Sequence, residues 1–122
     1  MIVLDSSAAL ELVLDTEHAS FVADTLREHE LAIAPHLLDA EVASALRRLA
    51  VTGAVTEQRC VVALAHFAAL RLVRFGMLRS LPRMWELRET VTTADAFFVA
   101  LAEDTGAPLL TTDRRLGRAH GH

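Results

Sequence analysis

Met1-Ile-Val-Leu-Asp5-Ser-Ser7 opens the chain and joins a short apolar run to an acid and two hydroxyls. The apolar run is typical of a buried strand, and the serines are typical of residues that begin a helix. Near the other end, Ala107-Pro-Leu-Leu-Thr-Thr112 is a similar short run of apolar residues followed by two hydroxyl residues, and Asp113 comes next. Because helical patterns separate such runs along the chain, the sequence predicts an α/β fold, with a central parallel sheet and helices on both faces.

Turn residues and hydrophobic periodicity place the individual elements. The predicted strands are residues 1–4, 31–34, 70–75 and 107–112, with Pro35 and Gly76 ending the second and third. The first three predicted helices are residues 6–14, a helix capped by Thr16, and residues 36–52 ending at Gly53. A fourth helix is capped by Thr56, and its predicted inner face consists of Cys60, Val61, Leu64, Phe67 and Ala68. The remaining predicted helices are one with Pro82 in its first turn, one over 94–104 capped by Thr93 and ending at Gly106, and a short one over 113–116 before a loose tail.

Composition sets the class of molecule. A chain of 122 residues that is 52% hydrophobic and 23% charged has enough apolar side chains for one core, so we expect a single domain over 1–122 and exclude global disorder. No apolar run is long enough to cross a bilayer and the N-terminus does not resemble an export signal, so we expect a cytoplasmic protein. The single cysteine, Cys60, is expected to be a buried apolar side chain.

The charge pattern restricts how the protein meets nucleic acid. The net charge is −4, and all 12 basic residues are arginines against 16 acids. This balance argues against a protein that coats nucleic acid by electrostatics alone. If four acids bound divalent cations, 16 − 4 = 12 acids would remain against 12 arginines. A nucleic-acid substrate is therefore compatible with the acidic composition.

Three acids lie where an α/β sheet gathers its ligands. Asp5 and Asp113 each follow a predicted strand, and Asp95 lies in the first turn of the helix before the last strand. Ligands of open α/β sheets collect at the carboxyl ends of the strands. Each acid alone is equally well explained as a helix cap or as a charge that complements a helix dipole.

Glu41 is the more specific signal. The third helix carries its apolar residues at Leu38, Val42, Ala45, Leu46 and Leu49, and position 41 falls within that stripe. A carboxylate on a buried face is costly unless it is paired or binds a metal. An ion pair with Arg47 or Arg48 is the alternative, but both lie mostly off the inner face. The neighbouring Asp39 lies off the stripe and is expected to be a solvated charge.

Four carboxylates in one cleft repel each other, and hard divalent cations relieve that repulsion. Mg²⁺, with Mn²⁺ as a substitute, prefers such all-oxygen ligands. The expected metal ligands and catalytic residues are Asp5, Glu41, Asp95 and Asp113. The sequence offers no competing histidine pair, catalytic triad or glycine-rich phosphate loop.

Several segments resemble one known family. Met1-Ile-Val-Leu-Asp5-Ser-Ser-Ala-Ala-Leu10 and Ala34-Pro-His-Leu-Leu-Asp-Ala-Glu41-Val-Ala-Ser-Ala-Leu46 are similar to PIN-domain proteins. Thr92-Thr-Ala-Asp95-Ala-Phe-Phe-Val-Ala-Leu-Ala-Glu103 and Gly106-Ala-Pro-Leu-Leu-Thr-Thr-Asp113-Arg-Arg-Leu116 resemble the VapC toxins of type II toxin–antitoxin systems. The resemblance covers the whole chain in the right order, and its one departure near an acid is Ala94, where many relatives carry an aromatic residue.

The resemblance implies a PIN-like three-layer α/β/α fold and a Mg²⁺- or Mn²⁺-dependent endoribonuclease. It implies that Asp5 and Asp95 are direct metal ligands, and that Glu41 and Asp113 complete the centre and orient the attacking water. Ser7 and Thr112 occupy positions where relatives often place a hydroxyl beside the metal. The implied partners are an RNA substrate, a VapB-like antitoxin and a second copy of the chain in a homodimer.

Three other functions were weighed. A response-regulator receiver domain needs an acidic pair after the first strand and a late lysine, and this sequence has neither. A catalytically idle PIN domain is disfavoured by the intact set of acids. A structure-specific DNA nuclease would need extra elements to hold branched DNA.

Overall fold

The computed structural model describes residues 1–113 and residue 116. Its centre is a four-stranded sheet of β1 (Ile2–Leu4), β2 (Ala32–Pro35), β3 (Leu72–Phe75) and β4 (Leu109–Leu110) in the order β3-β2-β1-β4. All three strand pairs are parallel. The predicted parallel sheet is confirmed, with the first strand lying between the second and the last.

In the described part of the chain six α-helices surround the sheet: α1 (Ser6–Leu14), α2 (Ala19–Arg27), α3 (Leu37–Thr52), α4 (Glu57–Ala69), α5 (Leu81–Glu86) and α6 (Thr93–Thr105). Helix α1 packs against α2, α3 and α4, whereas α6 packs against β1, β2 and β4 and carries α5. Connections from β1 through β3 proceed in one direction, and β4 returns to the other side of β1. Right-handed crossovers then place the two groups of helices on opposite faces, which is the predicted three-layer α/β/α fold.

This topology opens a crevice between β1 and β4. The chain passes from β1 to β2 and β3 on one side and then crosses back to place β4 on the other side of β1, so the carboxyl ends of β1 and β4 form the switch point where open α/β sheets bind ligands. The register pairs Val3 with Leu109 and Leu4 with Leu110, so Asp5 and Thr111 leave the sheet side by side.

Buried apolar residues anchor the elements that carry this crevice. Val3, Leu4 and Ile33 of the strands pack with Leu38 of α3 and Phe98 of α6, and all five are almost completely buried. Removing such side chains from a core typically costs about 2–5 kcal/mol each. None of the helices in residues 1–113 combines the length and apolar character that crossing a bilayer needs.

Several local predictions are confirmed. Helices α3 and α6 end at Gly53 and Gly106, whose φ angles of 76° and 71° lie in the left-handed region that glycine adopts without strain. Thr56 caps α4, its hydroxyl accepting a hydrogen bond from the amide of Arg59 at 3.2 Å. Cys60 is buried, and its Sγ lies 3.5 Å from the carbonyl oxygen of Leu46.

Other boundaries were wrong by a few residues. Helix α2 begins at Ala19 after His18, because the Thr16 hydroxyl donates to the Glu11 side chain instead of capping the helix. Thr92, not Thr93, caps α6, and Pro35 lies within β2. Strand β4 contains only Leu109–Leu110 of the six residues predicted. The helix predicted over 113–116 and the tail lie largely outside the described residues.

The inner face of α4 was also partly misassigned. Cys60, Ala63 and Phe67 are buried, whereas Val61 and Leu64 are 58% and 42% exposed. Both faces of this helix are apolar, so periodicity alone could not select the one that packs against α1 and α3.

Candidate active site

Asp5 lies at the carboxyl end of β1 and is only 3% exposed. Its Oδ1 accepts hydrogen bonds from the Ala8 amide at 2.9 Å and the Ser7 hydroxyl at 2.8 Å, which makes Asp5 the N-cap of α1. Its Oδ2 accepts a hydrogen bond from the Thr111 hydroxyl at 2.6 Å. The amide of Asp5 donates to the carbonyl of Leu110 at 3.2 Å. The carboxylate is therefore oriented by α1 and by the residue that follows β4.

Two hydroxyls connect Asp5 to Asp113. Besides donating to Asp5, the Ser7 hydroxyl accepts a hydrogen bond from the Thr112 amide at 3.0 Å. The Thr111 hydroxyl accepts one from the Asp113 amide at 2.9 Å. This network holds the backbone of Asp113 near Asp5, as the strand topology predicted.

Thr111 supplies a second hydroxyl that bonds Asp5 directly, a role that the sequence did not predict, while the expected place of the Thr112 hydroxyl beside a metal remains a prediction. Thr112 contributes its backbone amide, to Ser7. The sequence prediction extended β4 to residue 112, whereas the strand ends at Leu110, and Thr111 is then the first residue beyond the sheet.

Glu41 lies on α3 between the buried residues Leu38, Val42 and Ala45, as its position in the apolar stripe predicted. Its side chain is half-buried, and its Oε1 is shielded from solvent without a hydrogen-bond partner among the described residues. Within the same part of the chain Glu41 forms no ion pair, so neither Arg47 nor Arg48 neutralises it. A buried acceptor without a donor is costly, so this oxygen is suited to bind something that the protein itself does not provide.

Asp95 lies in the first turn of α6, and its amide donates to the hydroxyl of the N-cap Thr92 at 3.2 Å. The charge of Asp95 contributes to raising the pKa of both Asp5 and Glu41. That these three acids form one metal site remains a prediction.

The protonation equilibria of the site reflect burial and mutual repulsion. Burial raises the pKa of Asp5 above its ordinary value; hydrogen bonds from Ala8, Thr111 and Ser7 oppose this, and the charge of Asp95 adds to it. The pKa of Glu41 is also raised, first by burial and then by the charges of Asp95 and Asp5, while a hydrogen bond with Ser6 lowers it. Both carboxylates are therefore less stable in the charged form than they would be in water.

This donor set matches the chemistry of a hard divalent cation. Within residues 1–113 and 116, no three Asp, Glu, His or Cys side chains lie close enough to enclose a metal ion unaided. Mg²⁺ does not need such a cage, because it usually keeps several waters and binds one or two carboxylates directly. The unpartnered Oε1 of Glu41 and the repulsion among the acids are features that a cation would relieve.

Sequence reasoning misplaced Asp39 and missed Ser6. Asp39 was expected to be solvated, but it forms an ion pair with Arg74 of β3, with the Arg74 Nε 2.9 Å from both carboxylate oxygens. That pair fastens α3 to the sheet. Ser6, considered only as a helix-starting residue, lies close enough to Glu41 for its hydroxyl to lower the pKa of that carboxyl.

The chain has the features of α/β domains that carry acidic side chains at the carboxyl ends of parallel strands. Comparison with known proteins identifies the family. The PIN-domain family model matches residues 2–121. Ribonuclease VapC12 of Mycobacterium tuberculosis is 42% identical over 122 residues, covering 100% of this chain and 94% of the relative. Ribonuclease VapC9 of the same species is 40% identical over 119 residues, covering 95% and 88%. The chain belongs to the PIN-domain family and, within it, to the VapC ribonucleases.

A solved structure supports the same fold. The crystal structure of Mycobacterium tuberculosis VapC20, described as a sarcin–ricin loop cleaving toxin, superposes with a TM-score of 0.75. The match covers 98% of this chain and 95% of VapC20 at 14% sequence identity. At that identity the likeness concerns the fold alone.

Proposed function

We propose that this chain is the toxin of a type II toxin–antitoxin system and a Mg²⁺- or Mn²⁺-dependent endoribonuclease, with residues 1–122 acting as one PIN domain. The relatives named as ribonucleases over nearly the full chain support the activity. One observation carries the metal dependence. The shielded Oε1 of Glu41 has no donor among the described residues, and the pKa of Glu41 is raised first by burial and then by the charges of Asp95 and Asp5.

Each acid has a role in the proposal. Asp5 and Asp95 are the direct metal ligands, and Glu41 and Asp113 complete the centre and orient the attacking water. A bound divalent cation would lower the pKa of its water and stabilise the charge that develops on the phosphate.

The surrounding residues hold these acids in position. Ser7 and Thr111 fix the Asp5 carboxylate, so its orientation does not have to be established during the reaction. The free oxygen of Glu41 can accept a proton from the water that attacks the phosphodiester. Its raised pKa brings it closer to neutral pH, where a general base is more effective.

The proposed partners are a VapB-like antitoxin and a second copy of the chain, and the proposed location is the cytoplasm. Large apolar side chains on α4 and around α5 are strongly exposed in the isolated chain, among them Val61, Val62, Leu78 and Trp85. Exposed apolar side chains on two helical surfaces are typical of proteins that assemble. Co-purification with the product of a neighbouring antitoxin gene and size-exclusion chromatography with light scattering would test both partners.

The activity can be tested by two substitutions and a matched control. Asp5→Asn and Asp95→Asn each remove one carboxylate charge and preserve side-chain size, and Asn remains an effective N-cap at position 5. We expect both variants to lose RNA cleavage in Mg²⁺ while their circular dichroism stays that of the wild type. Asp24→Asn removes an exposed charge on α2 and should cleave normally. Cleavage retained by either active-site variant would contradict the assigned roles.

A further inference from the structure

Two clefts adjoin the acidic centre. The first has a volume of about 380 Å³ and lies on the Glu41 side, where Ser6, Ser7 and Ser44 contribute hydroxyls and Arg48 contributes the one basic group among its described lining residues. Helix α3 supplies both Glu41 and Arg48, which lie seven residues apart and therefore on the same face of the helix.

The second cleft has a volume of about 370 Å³ and lies on the Asp95 side. Among the described residues that line it, Arg88 contributes the one basic group, and Thr90 and Thr92 contribute hydroxyls. Each cleft therefore contains one of the acids assigned to the centre, Glu41 in the first and Asp95 in the second, and the charges of these two acids interact. Each cleft also has one arginine and several hydroxyls among its described lining residues.

The arginines of the described residues fall into two groups. Arg27, Arg74, Arg79 and Arg83 form ion pairs. The others have no carboxylate within 4.0 Å in the described part of the chain: Arg47, Arg48, Arg59, Arg71 and Arg88. Of these, Arg48 and Arg88 line the two clefts that contain the acids. Their guanidinium groups are exposed and keep donors for a ligand.

The position of Arg88 is maintained by an aromatic side chain. Its guanidinium lies over the ring of Trp85, 4.6 Å from the centroid, and its Nη1 donates to the Trp85 carbonyl at 2.8 Å. Cation–π stacking limits the rotamers of arginine without using all of its N–H donors. Trp85 itself is 62% exposed, so part of its ring remains available to an unpaired base.

We propose that Arg48 and Arg88 bind backbone phosphates of single-stranded RNA on the two sides of the bond at the acidic centre, with Trp85 positioning Arg88. This inference rests on the proposed function and specifies how the substrate lies. A chain of net charge −4 cannot attract RNA by its overall field, so attraction has to come from local cations beside the acids. A guanidinium on each side of the centre would hold the strand across it.

The test is RNA binding as a function of salt concentration. Fluorescence anisotropy of a labelled, mixed-sequence single-stranded RNA would be measured in EDTA, which prevents metal-dependent cleavage, over a series of NaCl concentrations. Arg48→Ala and Arg88→Ala should each weaken binding by roughly threefold to tenfold and reduce the slope of log K against log salt by about 0.7, as expected for one lost phosphate contact on a single strand. Arg48→Lys and Arg88→Lys should retain the slope.

Arg47→Ala is the matched control. Arg47 lies beside Arg48 on α3, is exposed and lines neither cleft, so its removal changes the net charge equally. It should alter affinity by less than roughly twofold. If Arg48→Ala and Arg88→Ala behave like Arg47→Ala, or if the wild type does not bind the RNA, the assignment of the arginines is overturned.

The two proposals fail in different ways. If the wild type cleaves RNA in Mg²⁺ but the arginine variants bind like the wild type, only the RNA path is wrong. If binding depends on the arginines but the wild type does not cleave RNA in Mg²⁺ or Mn²⁺, the ribonuclease proposal is wrong and the binding surface stands.

Discussion

Replacement of Glu41 by glutamine should stabilise the metal-free protein while removing its activity. The substitution preserves the size of the side chain, removes a charge that Asp5 and Asp95 repel, and replaces the unpartnered Oε1 by an amide that can donate to a neighbouring carboxylate. An unsatisfied buried polar group costs about 1–3 kcal/mol. Because Glu41 is only half-buried and solvent screens its charge, we take the lower end, about 1 kcal/mol.

That free energy converts to a measurable shift in melting temperature. Unfolding entropy is about 2.1 cal/mol/K per residue, or about 0.26 kcal/mol/K for 122 residues, so about 1 kcal/mol raises Tm by about 4 °C. The assay is thermal unfolding in EDTA followed by circular dichroism, with RNA cleavage in Mg²⁺ measured in parallel. Glu28→Gln, at an exposed site, removes the same charge and should shift stability by less than about 0.5 kcal/mol.

The sign of the pH dependence makes this prediction specific. Glutamate with a raised pKa stabilises the folded state less as its proton is lost, so its contribution falls as pH rises from the ordinary value of 4.5 through the higher folded pKa. The advantage of Glu41→Gln should therefore vanish in acid and be complete above the folded pKa. A folded Glu41→Gln variant with an unchanged or lower Tm at neutral pH would refute the account of repulsion at the centre.

Three further outcomes follow from the same geometry. Mg²⁺ or Mn²⁺ should raise the Tm of the wild type, and at a metal concentration of one hundred times the Kd the stabilisation should be about 2.7 kcal/mol. The Tm of Asp95→Asn should rise much less in the same titration. Equal shifts for the two proteins would show that the cation binds elsewhere. Cleavage should decline as pH falls through the raised pKa values of Asp5 and Glu41, because Asp5 must be charged to bind the metal and Glu41 must be charged to accept a proton from water; a rate that does not fall in acid would exclude this. Thr111→Val removes a hydrogen-bond donor to the charged form of Asp5, so the fall of the cleavage rate in acid should begin at a higher pH. Thr111→Ser keeps a hydroxyl and should largely return this fall to its wild-type pH. An unchanged pH dependence in Thr111→Val would show that the hydroxyl does not act through Asp5.

The positions of Asp5 and Glu41 in the fold were more predictable from sequence than the element boundaries were. Glu41 could be recognised because an acid inside an apolar helical stripe conflicts with burial, and Asp5 because a short apolar run places it at the carboxyl end of a strand. Both signals depend only on local periodicity and on the general topology of parallel sheets. The fold class followed from the same alternation of strands and helices.

Features that depend on distant contacts were missed. Asp39 was expected in solvent because it lies off the apolar stripe of its helix. Its ion pair could not be predicted because its partner Arg74 lies 35 residues later and the pairing of β3 with β2 is not visible in either segment alone. The role of Thr111 was missed because the end of β4 is set by pairing with β1 rather than by composition. Val61 and Leu64 were assigned to the core because hydrophobicity cannot identify which of two apolar helix faces is covered.

The pairing of the first strand with the last has a consequence for protein synthesis. The carboxylate at position 5 emerges from the ribosome almost at once, but the hydroxyl that fixes it, on Thr111, is translated more than a hundred residues later. If the centre works as proposed, a nascent toxin cannot cut RNA while β4 is still missing. The cell would then have most of the time needed to translate this chain in which to supply an inhibitor.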